Sequence, residues 1–351
     1  MEKETLISDY KELEKYITLT EQERAYFEHT QQRLPFLVSR YFLSLIDTND
    51  PFDPIRLQVI PSMRELEFLD KESHDPLLEL NYSVTNRLIH RYANRVALLL
   101  TDKCATYCRH CFRRRFTGGE NSHISDSELQ EVASYLKEHP TITEILITGG
   151  DPLMVSDTLL HKVISTLREA SPSLVIRLGT RMVATYPKRI TTQLIKMLHS
   201  LSTQAPMYIM VQFNHPRELT FQSTAALQMF SDKGFPLMNQ SVLLKGVNDD
   251  VETLVELCNT LIAHKVKPYY LFQGDLVSGT HHLRVPLSKG LALERELRKR
   301  VSGLAMPQYA LDLPEGGGKV PLSGSYVDHY DPVKKMWVFR TLDGTLRSYP
   351  E

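Results

Sequence analysis

The chain has 351 residues, 42% hydrophobic and 24% charged, the make-up of a globular protein long enough for one large domain or two ordinary ones. Lysine plus arginine at 41 against aspartate plus glutamate at 42 leaves a net charge of −1, so no global field favours nucleic acid or an anionic membrane. The polar start Met1-Glu-Lys-Glu-Thr and the lack of any apolar run near the roughly 18 residues of a membrane span argue for a cytoplasmic protein, with neither membrane nor nucleic acid as partner.

Residues 1 to about 48 read as helices, because Leu13, Tyr16 and Ile17, then Tyr26 and Phe27, then Leu34, Phe36 and Leu37 recur at spacings of three and four. The prolines of Asn49-Asp-Pro-Phe-Asp-Pro-Ile-Arg-Leu-Gln-Val-Ile-Pro-Ser forbid a helix there and suggest a segment laid against a larger body. From Val96 the rhythm changes to short aliphatic runs separated by longer helical patterns. Six strands are predicted: 96–100, 144–147, 174–178, 207–211, 237–244 and 269–272. Helix signals between them include Ser127-Glu-Leu-Gln-Glu-Val-Ala-Ser-Tyr-Leu, with a capping-box start, and residues 251–262. This alternation predicts parallel βαβ units and an α/β fold, an open, partial (βα)6 TIM-like barrel with a helical N-terminal extension. The expected division is an extension and wrapping segment over 1–90, a barrel core over 91–305, and a C-terminal loop and tail over 306–351.

Three of the four cysteines fall inside Cys104-Ala-Thr-Tyr-Cys108-Arg-His-Cys111, directly after the first strand. The use of so few cysteines, three of them wanted as thiolates, argues against disulfides. The spacing CxxxCxxC can bind three corners of a four-iron four-sulfur cluster and leave the fourth iron open. Zinc is the weaker alternative, since no second cysteine pair exists and His110 would make a cramped fourth ligand. Cys258 lies on the apolar face of a predicted helix and reads as core. The second strand ends in Thr148-Gly-Gly-Asp151-Pro152, a glycine pair that either makes a tight turn or lets backbone approach a ligand closely. Near the end, Leu311-Asp-Leu-Pro-Glu-Gly-Gly-Gly-Lys319 could place one lysine in a cofactor mouth or be a flexible loop. A nucleotide-triphosphate cradle is disfavoured, because no Ser or Thr follows Lys319.

The cysteine segment resembles the radical S-adenosylmethionine superfamily, in which the open iron is chelated by S-adenosylmethionine and one electron releases a 5′-deoxyadenosyl radical. Taken with Asp53-Pro-Ile-Arg-Leu-Gln, His90-Arg-Tyr, Arg113-Arg-Arg-Phe, Phe213-Asn-His-Pro, Asn239-Gln-Ser-Val-Leu-Leu-Lys-Gly-Val-Asn-Asp, Tyr269-Tyr and Gly316-Gly-Gly-Lys319, the chain resembles the lysine 2,3-aminomutase family. The resemblance runs from about Asp50 to Tyr349 and implies an isomerase using a 4Fe-4S cluster, S-adenosylmethionine and pyridoxal 5′-phosphate.

By that resemblance Cys104, Cys108 and Cys111 ligate the cluster, and Gly149, Gly150, Asp151 and Gln240 contact S-adenosylmethionine. Lys319 takes up pyridoxal phosphate, with Arg91, Tyr92 and Arg95 around its phosphate and ring. Arg113 would hold the substrate carboxylate, while Asp275 and Asp312 clasp the ε-ammonium of L-lysine. From spacing alone the two aspartates are equally ordinary loop residues. Gln212 stands where comparable family members have histidine. Longer, catabolic members bind zinc through a cysteine at the position of Asp250 and a C-terminal extension, so no zinc is expected here. The compact form looks more like bacterial enzymes that make (R)-β-lysine for elongation factor P. The resemblance also implies an electron donor such as flavodoxin or ferredoxin and allows a homo-oligomer. The rivals are an aminomutase acting on glutamate or arginine, a catabolic lysine enzyme, and, more distantly, a non-catalytic iron-sulfur electron carrier.

Overall fold

The structure is a computed structural model that describes residues 5–29, 34–67, 69–119 and 123–351. After residue 87 the aliphatic runs become one nine-stranded sheet: β1 Leu88–Tyr92, β2 Arg95–Thr101, β3 Glu144–Gly149, β4 Val175–Thr180, β5 Met207–Val211, β6 Leu237–Val242, β7 Val266–Phe272, β8 Gln308–Leu313 and β9 Gly318–Pro321. The strands lie in chain order. All pairs from β2 to β8 are parallel, and a hairpin adds an antiparallel strand at each end.

Six helices connect the parallel strands in turn: α1 Asp126–Glu138, α2 Asp157–Ala170, α3 Thr192–Ser202, α4 Phe221–Ser231, α5 Val251–Ala263 and α6 Leu287–Arg300. Because strand side chains alternate between faces, every second residue of β3 and β4 is buried under the helices, Ile145, Ile147, Ile176 and Leu178 among them. Their neighbours Leu146, Thr148 and Arg177 are only half-buried and lie on the opposite face. The sheet curls into a half-barrel, the open α/β barrel expected from the sequence. Loops at the C-terminal ends of its parallel strands therefore converge on one mouth.

All six expected strands are present, but the sheet continues beyond them. A seventh parallel strand, β8, and its hairpin partner β9 come from the stretch read as loop and tail. The sequence Gln-Tyr-Ala-Leu-Asp-Leu hides this strand because it is short and carries a charge at Asp312. The remaining tail is a separate three-stranded meander, β10 Val327–Asp331, β11 Met336–Arg340 and β12 Leu346–Pro350.

The N-terminal expectation needs correction. Helices form at Tyr10–Leu13, Glu21–Glu28 and Arg40–Leu43, but Leu34, Phe36 and Leu37 lie in no helix, since Pro35 lacks a donor and disfavours helical geometry before it. Residues 1–4 and 30–33 of the predicted helical stretch lie outside the described residues. The proline-rich segment does hold one helical turn, Arg56–Val59, because Asp53 Oδ1 accepts from the amides of Ile55 and Arg56 just beyond Pro54. Helix α1 starts at Asp126, one residue before the predicted Ser127, with a capping box between its N-cap Ser125 and Glu128.

The extension has its own small core, including Ile7, Leu13, Phe42, Ile55 and Val59. It meets the barrel through a charge network. Glu65 is fully buried and accepts from Arg109 Nε at 2.7 Å, Arg109 Nη2 at 2.6 Å and Arg114 Nη2 at 2.5 Å. Burial alone would raise the Glu65 pKa, but the two arginines bring it below the usual carboxylate value. Removing the one acid between two buried guanidinium groups leaves their charge uncompensated. Glu65→Gln should therefore lower unfolding stability by about 3 kcal/mol or more, read from urea titrations. A variant as stable as the parent would mean the network is not holding the two parts together.

Candidate active site

The cysteine loop leaves the end of β2 without regular secondary structure, so its shape comes from bonds to other segments. Tyr107 N donates to Leu37 O at 2.8 Å, Arg109 N to Gln58 O at 2.8 Å, and Gly118 N to Asp102 O at 2.8 Å. The Arg109 side chain, 0% exposed, also donates to Pro35 O, Leu34 O and Tyr26 Oη. Cys104, Cys108 and Cys111 are thereby brought close enough for their charges to act on one another. Burial first, then the neighbouring thiol charges and Asp151, push the Cys104 pKa well up; burial and Cys108 raise Cys111. Such mutual repulsion is what a set of thiolates meets before cationic iron relieves it. Among the described residues no three His, Cys, Asp or Glu side chains converge on one ion position. A cubane does not need that, because each thiolate takes a different iron.

The glycine pair after β3 serves this loop directly. Gly150 lies so close to it that a Cβ would meet Lys103 O at 2.3 Å, and Gly149 has φ +119 with Thr101 O at 2.5 Å from an added Cβ. The turn bonds to the loop through Gly150 N to Thr101 O and Asp151 N to Lys103 O at 2.8 Å. The space these glycines free is thus filled by the chain's own backbone. The buried Asp151 carboxylate accepts from Thr180 Oγ1, Arg181 N, Met182 N and Leu153 N at 2.7–3.1 Å. Its oxygens are committed to the turns after β3 and β4.

That turn carries Arg181, which the sequence reading missed. Arg181 Nη1 lies 2.7 Å from Cys108 Sγ, and Nη2 donates to Gln58 Oε1 at 2.6 Å and Glu218 Oε2 at 3.2 Å. Burial opposes its charge, but Cys108 and Glu218 more than offset that and raise its pKa. The available signal was its position, directly after a parallel strand's C-terminal end. Beside it, the His110 ring nitrogen Nε2 is 3.2 Å from Gln212 Nε2 and 3.4 Å from Asn214 Nδ2. Burial and the charges of Arg181 and Arg114 lower the His110 pKa well below its ordinary value.

Across the mouth, Asp312 on β8 is the register partner of Lys319 on β9. Seven residues apart in sequence, they become neighbours across a hairpin, with Lys319 Nζ 3.4 Å from Asp312 Oδ2. The same ammonium sits 4.0 Å from the Phe272 ring centre and 4.6 Å from that of Tyr270, two stacked rings on β7. Burial lowers the Lys319 pKa, against the pull of Asp312 and Asp275, which favours the neutral, nucleophilic amine. Asp275 follows β7 and is pushed up to about 7 by burial and by the charge of Asp312, with Lys319 and Arg113 acting the other way.

Arg113 belongs to the same charge field, but its guanidinium is paired with Glu79, Nη2 to Oε1 at 2.8 Å and Nε to both oxygens at 3.1 Å. Nothing local in the sequence announced Glu79. Arg91 and Tyr92 lie on β1 and Arg95 on β2; Arg95 stacks 3.9 Å over Tyr92, and Arg91 Nη2 is buried without a hydrogen-bond partner. Arg177 on β4, also missed, adds its charge to Lys319 and Tyr270. Gln240 is half-buried in β6 opposite Tyr270. Cys258 is buried in the apolar cluster beneath α5 and α6, and Asp250 caps α5 by accepting from Thr253 N at 2.8 Å.

Cys104→Ala, Cys108→Ala and Cys111→Ala are each expected to lose bound iron after anaerobic reconstitution, while Cys258→Ala retains the parent iron and sulfide content. A full complement of iron in any of the first three variants would remove that cysteine from the ligand set. The shifted carboxyl of Asp275 gives a second test. Folded chains hold its proton between the ordinary pKa of 3.8 and about 7, so this group makes stability fall as pH rises through that window. In the cofactor-free protein, urea midpoints should therefore show Asp275→Asn gaining on the parent from pH 4.5 to pH 7. A gap independent of pH would rule out the raised carboxyl.

Two family models match the chain: the radical SAM superfamily over residues 98–258, and lysine-2,3-aminomutase over residues 294–351. The sequence is 41% identical to the L-lysine 2,3-aminomutase of Clostridium subterminale, over 98% of this chain and 82% of that protein. It is 37% identical to the L-lysine 2,3-aminomutase of Bacillus subtilis strain 168, over 97% and 71%. It is also 40% identical to the glutamate 2,3-aminomutase of Clostridioides difficile strain 630, over 92% and 75%. No helix among the described residues is long and apolar enough to cross a membrane. The three thiols grouped at the barrel mouth suit the iron-sulfur cluster and S-adenosylmethionine chemistry of the superfamily, and with relatives matched along nearly its whole length the chain belongs to the lysine 2,3-aminomutase family of radical SAM isomerases.

Proposed function

We propose that this protein interconverts L-lysine and β-lysine by a radical 2,3-amino shift. The observation that carries this reading is the acid pair Asp275 and Asp312, gathered about an ammonium that Lys319 itself supplies in the cofactor-free chain. A site that already pairs one lysine-type ammonium with Asp312, with Asp275 acting on it by charge, is suited to hold another. Uncompensated burial of that charge would cost several kcal/mol. A glutamate side chain would instead bring a third acid beside Asp312 and Asp275, which disfavours the second reading offered by the glutamate-specific relative.

In this proposal Cys104, Cys108 and Cys111 hold the cluster and leave one iron for S-adenosylmethionine. The turn Gly149-Gly150-Asp151 and Gln240 flank that ligand, with Asp151 acting through the turn it braces. Pyridoxal 5′-phosphate bound at Lys319 would supply the π-system that lets an amino group migrate between adjacent carbons. Lys319 provides the amine that binds it, and Asp312 holds that amine in place. Arg91, with its unpartnered Nη2, and Arg95 offer positive charge to a phosphate, while Tyr92 lines the ring side. Arg113 presents a planar fork to the substrate carboxylate once Glu79 yields part of it. Tyr270 and Phe272 keep this end apolar, which limits quenching of a radical by water. A flavodoxin- or ferredoxin-type donor supplies the electron. Delivery of (R)-β-lysine to elongation factor P is the finer proposal, supported by resemblance alone.

Chiral analysis of products from L-lysine after anaerobic reconstitution tests the reaction; a preference for L-glutamate would overturn the substrate. Borohydride should fix the pyridoxyl group on Lys319, and a peptide map placing it on another lysine would displace that assignment. Asp275→Asn and Asp312→Asn should each slow lysine turnover at least about tenfold, roughly 1.4 kcal/mol. Iron content should remain that of the parent.

A further inference from the structure

Arg181 is buried, carries a fixed charge, and touches a cluster ligand at 2.7 Å through Nη1. Its nominal counter-ion is Glu218, but that carboxylate is already well served: Oε1 accepts from Gln58 Nε2 at 3.1 Å, Asn214 N at 3.1 Å and His215 N at 3.0 Å, leaving Oε2 for Arg181 at 3.2 Å. Gln58 Oε1 is a neutral acceptor shared with Asn214 Nδ2. The second acid nearby, Asp151, faces the Arg181 backbone amide rather than its guanidinium. The shortest contact of the Arg181 side chain to an atom that can carry a full negative charge is therefore to Cys108 Sγ. Its Nε is buried with no partner in the protein.

We propose that Arg181 sets the reduction potential of the cluster, by donating a charge-assisted hydrogen bond to the Cys108 thiolate and so stabilising the reduced form. Adding one electron from the external donor makes the cluster one unit more negative, with no bond broken in the protein. A positive charge and an N–H donor at a ligating sulfur favour that state over the oxidised one, and the potential rises. Arg181 acts through Cys108, so it is a positioning residue. Three segments fix it, the turn braced by Asp151, Gln58 of the N-terminal extension and Glu218 after β5. This role requires only the cluster, and stands whichever amino acid the enzyme rearranges.

The test is a potentiometric titration of the reconstituted enzyme, followed by electron paramagnetic resonance, on parent, Arg181→Lys and Arg181→Met with matched iron and sulfide content. The expected midpoints become more negative in the order parent, Lys, Met, with the lysine restoring part of the shift through its charge. A fully loaded Arg181→Met with the parent midpoint would overturn the proposal. A second measurement covers the case in which the methionine variant does not retain its cluster. Parent protein labelled with guanidino-¹⁵N arginine should show a ¹⁵N hyperfine coupling on the reduced cluster by pulsed electron-nuclear double resonance. Absence of any such coupling would equally sink the assignment.

Discussion

The Arg109 guanidinium is the interaction on which the rest of the site depends. An eight-residue cysteine loop without helix or strand cannot hold three sulfurs in a fixed pattern by its own backbone bonds. Arg109, inside the loop and wholly buried, uses all three guanidinium nitrogens on Glu65, Tyr26 and the carbonyls of Leu34 and Pro35. A charge so deep is tolerable only because Glu65 answers it, and Glu65 in turn answers Arg114. The N-terminal extension is thus a clamp on the loop as much as a cover for the barrel.

From that fixed loop the polar order spreads inward. The glycine pair packs against Thr101 and Lys103, Asp151 ties the glycine turn to the turn after β4, and Arg181 returns from that turn to Cys108. Asp151 is held by backbone donors, and Arg181 is directed at Cys108. The result is a loop of bonds that passes through three strand ends of one sheet.

The opposite side of the mouth is organised by competing charges. Lys319, Asp312 and Asp275 share one half-buried region, with Arg113 and Glu79 paired beside it. Two aspartates so close cannot both be comfortably ionised without a cation between them, and Asp275 is the one whose proton is retained. In the cofactor-free chain the cation is Lys319.

The sequence by itself determined the α/β alternation, the six strand-helix units, and the location of the cysteine loop at the end of β2, because periodic burial and short loop spacing are local properties. Its reading failed at Pro35 and at the Asp53 cap, where one residue outweighed the spacing around it. It also stopped one strand early, since the charge at Asp312 breaks the aliphatic pattern of β8. Only the tertiary structure decided that Asp312 faces Lys319, that Glu79 pairs with Arg113, and that Arg181 reaches Cys108. Glu79 and Arg113, Glu79 and Arg115, His110 and Gln212, and Cys108 and Arg181 lie 34, 36, 102 and 73 positions apart in the chain, and meet only because the sheet curls and the extension folds back. Contacts of that kind depend on strand register and loop closure over long separations, which no local pattern encodes.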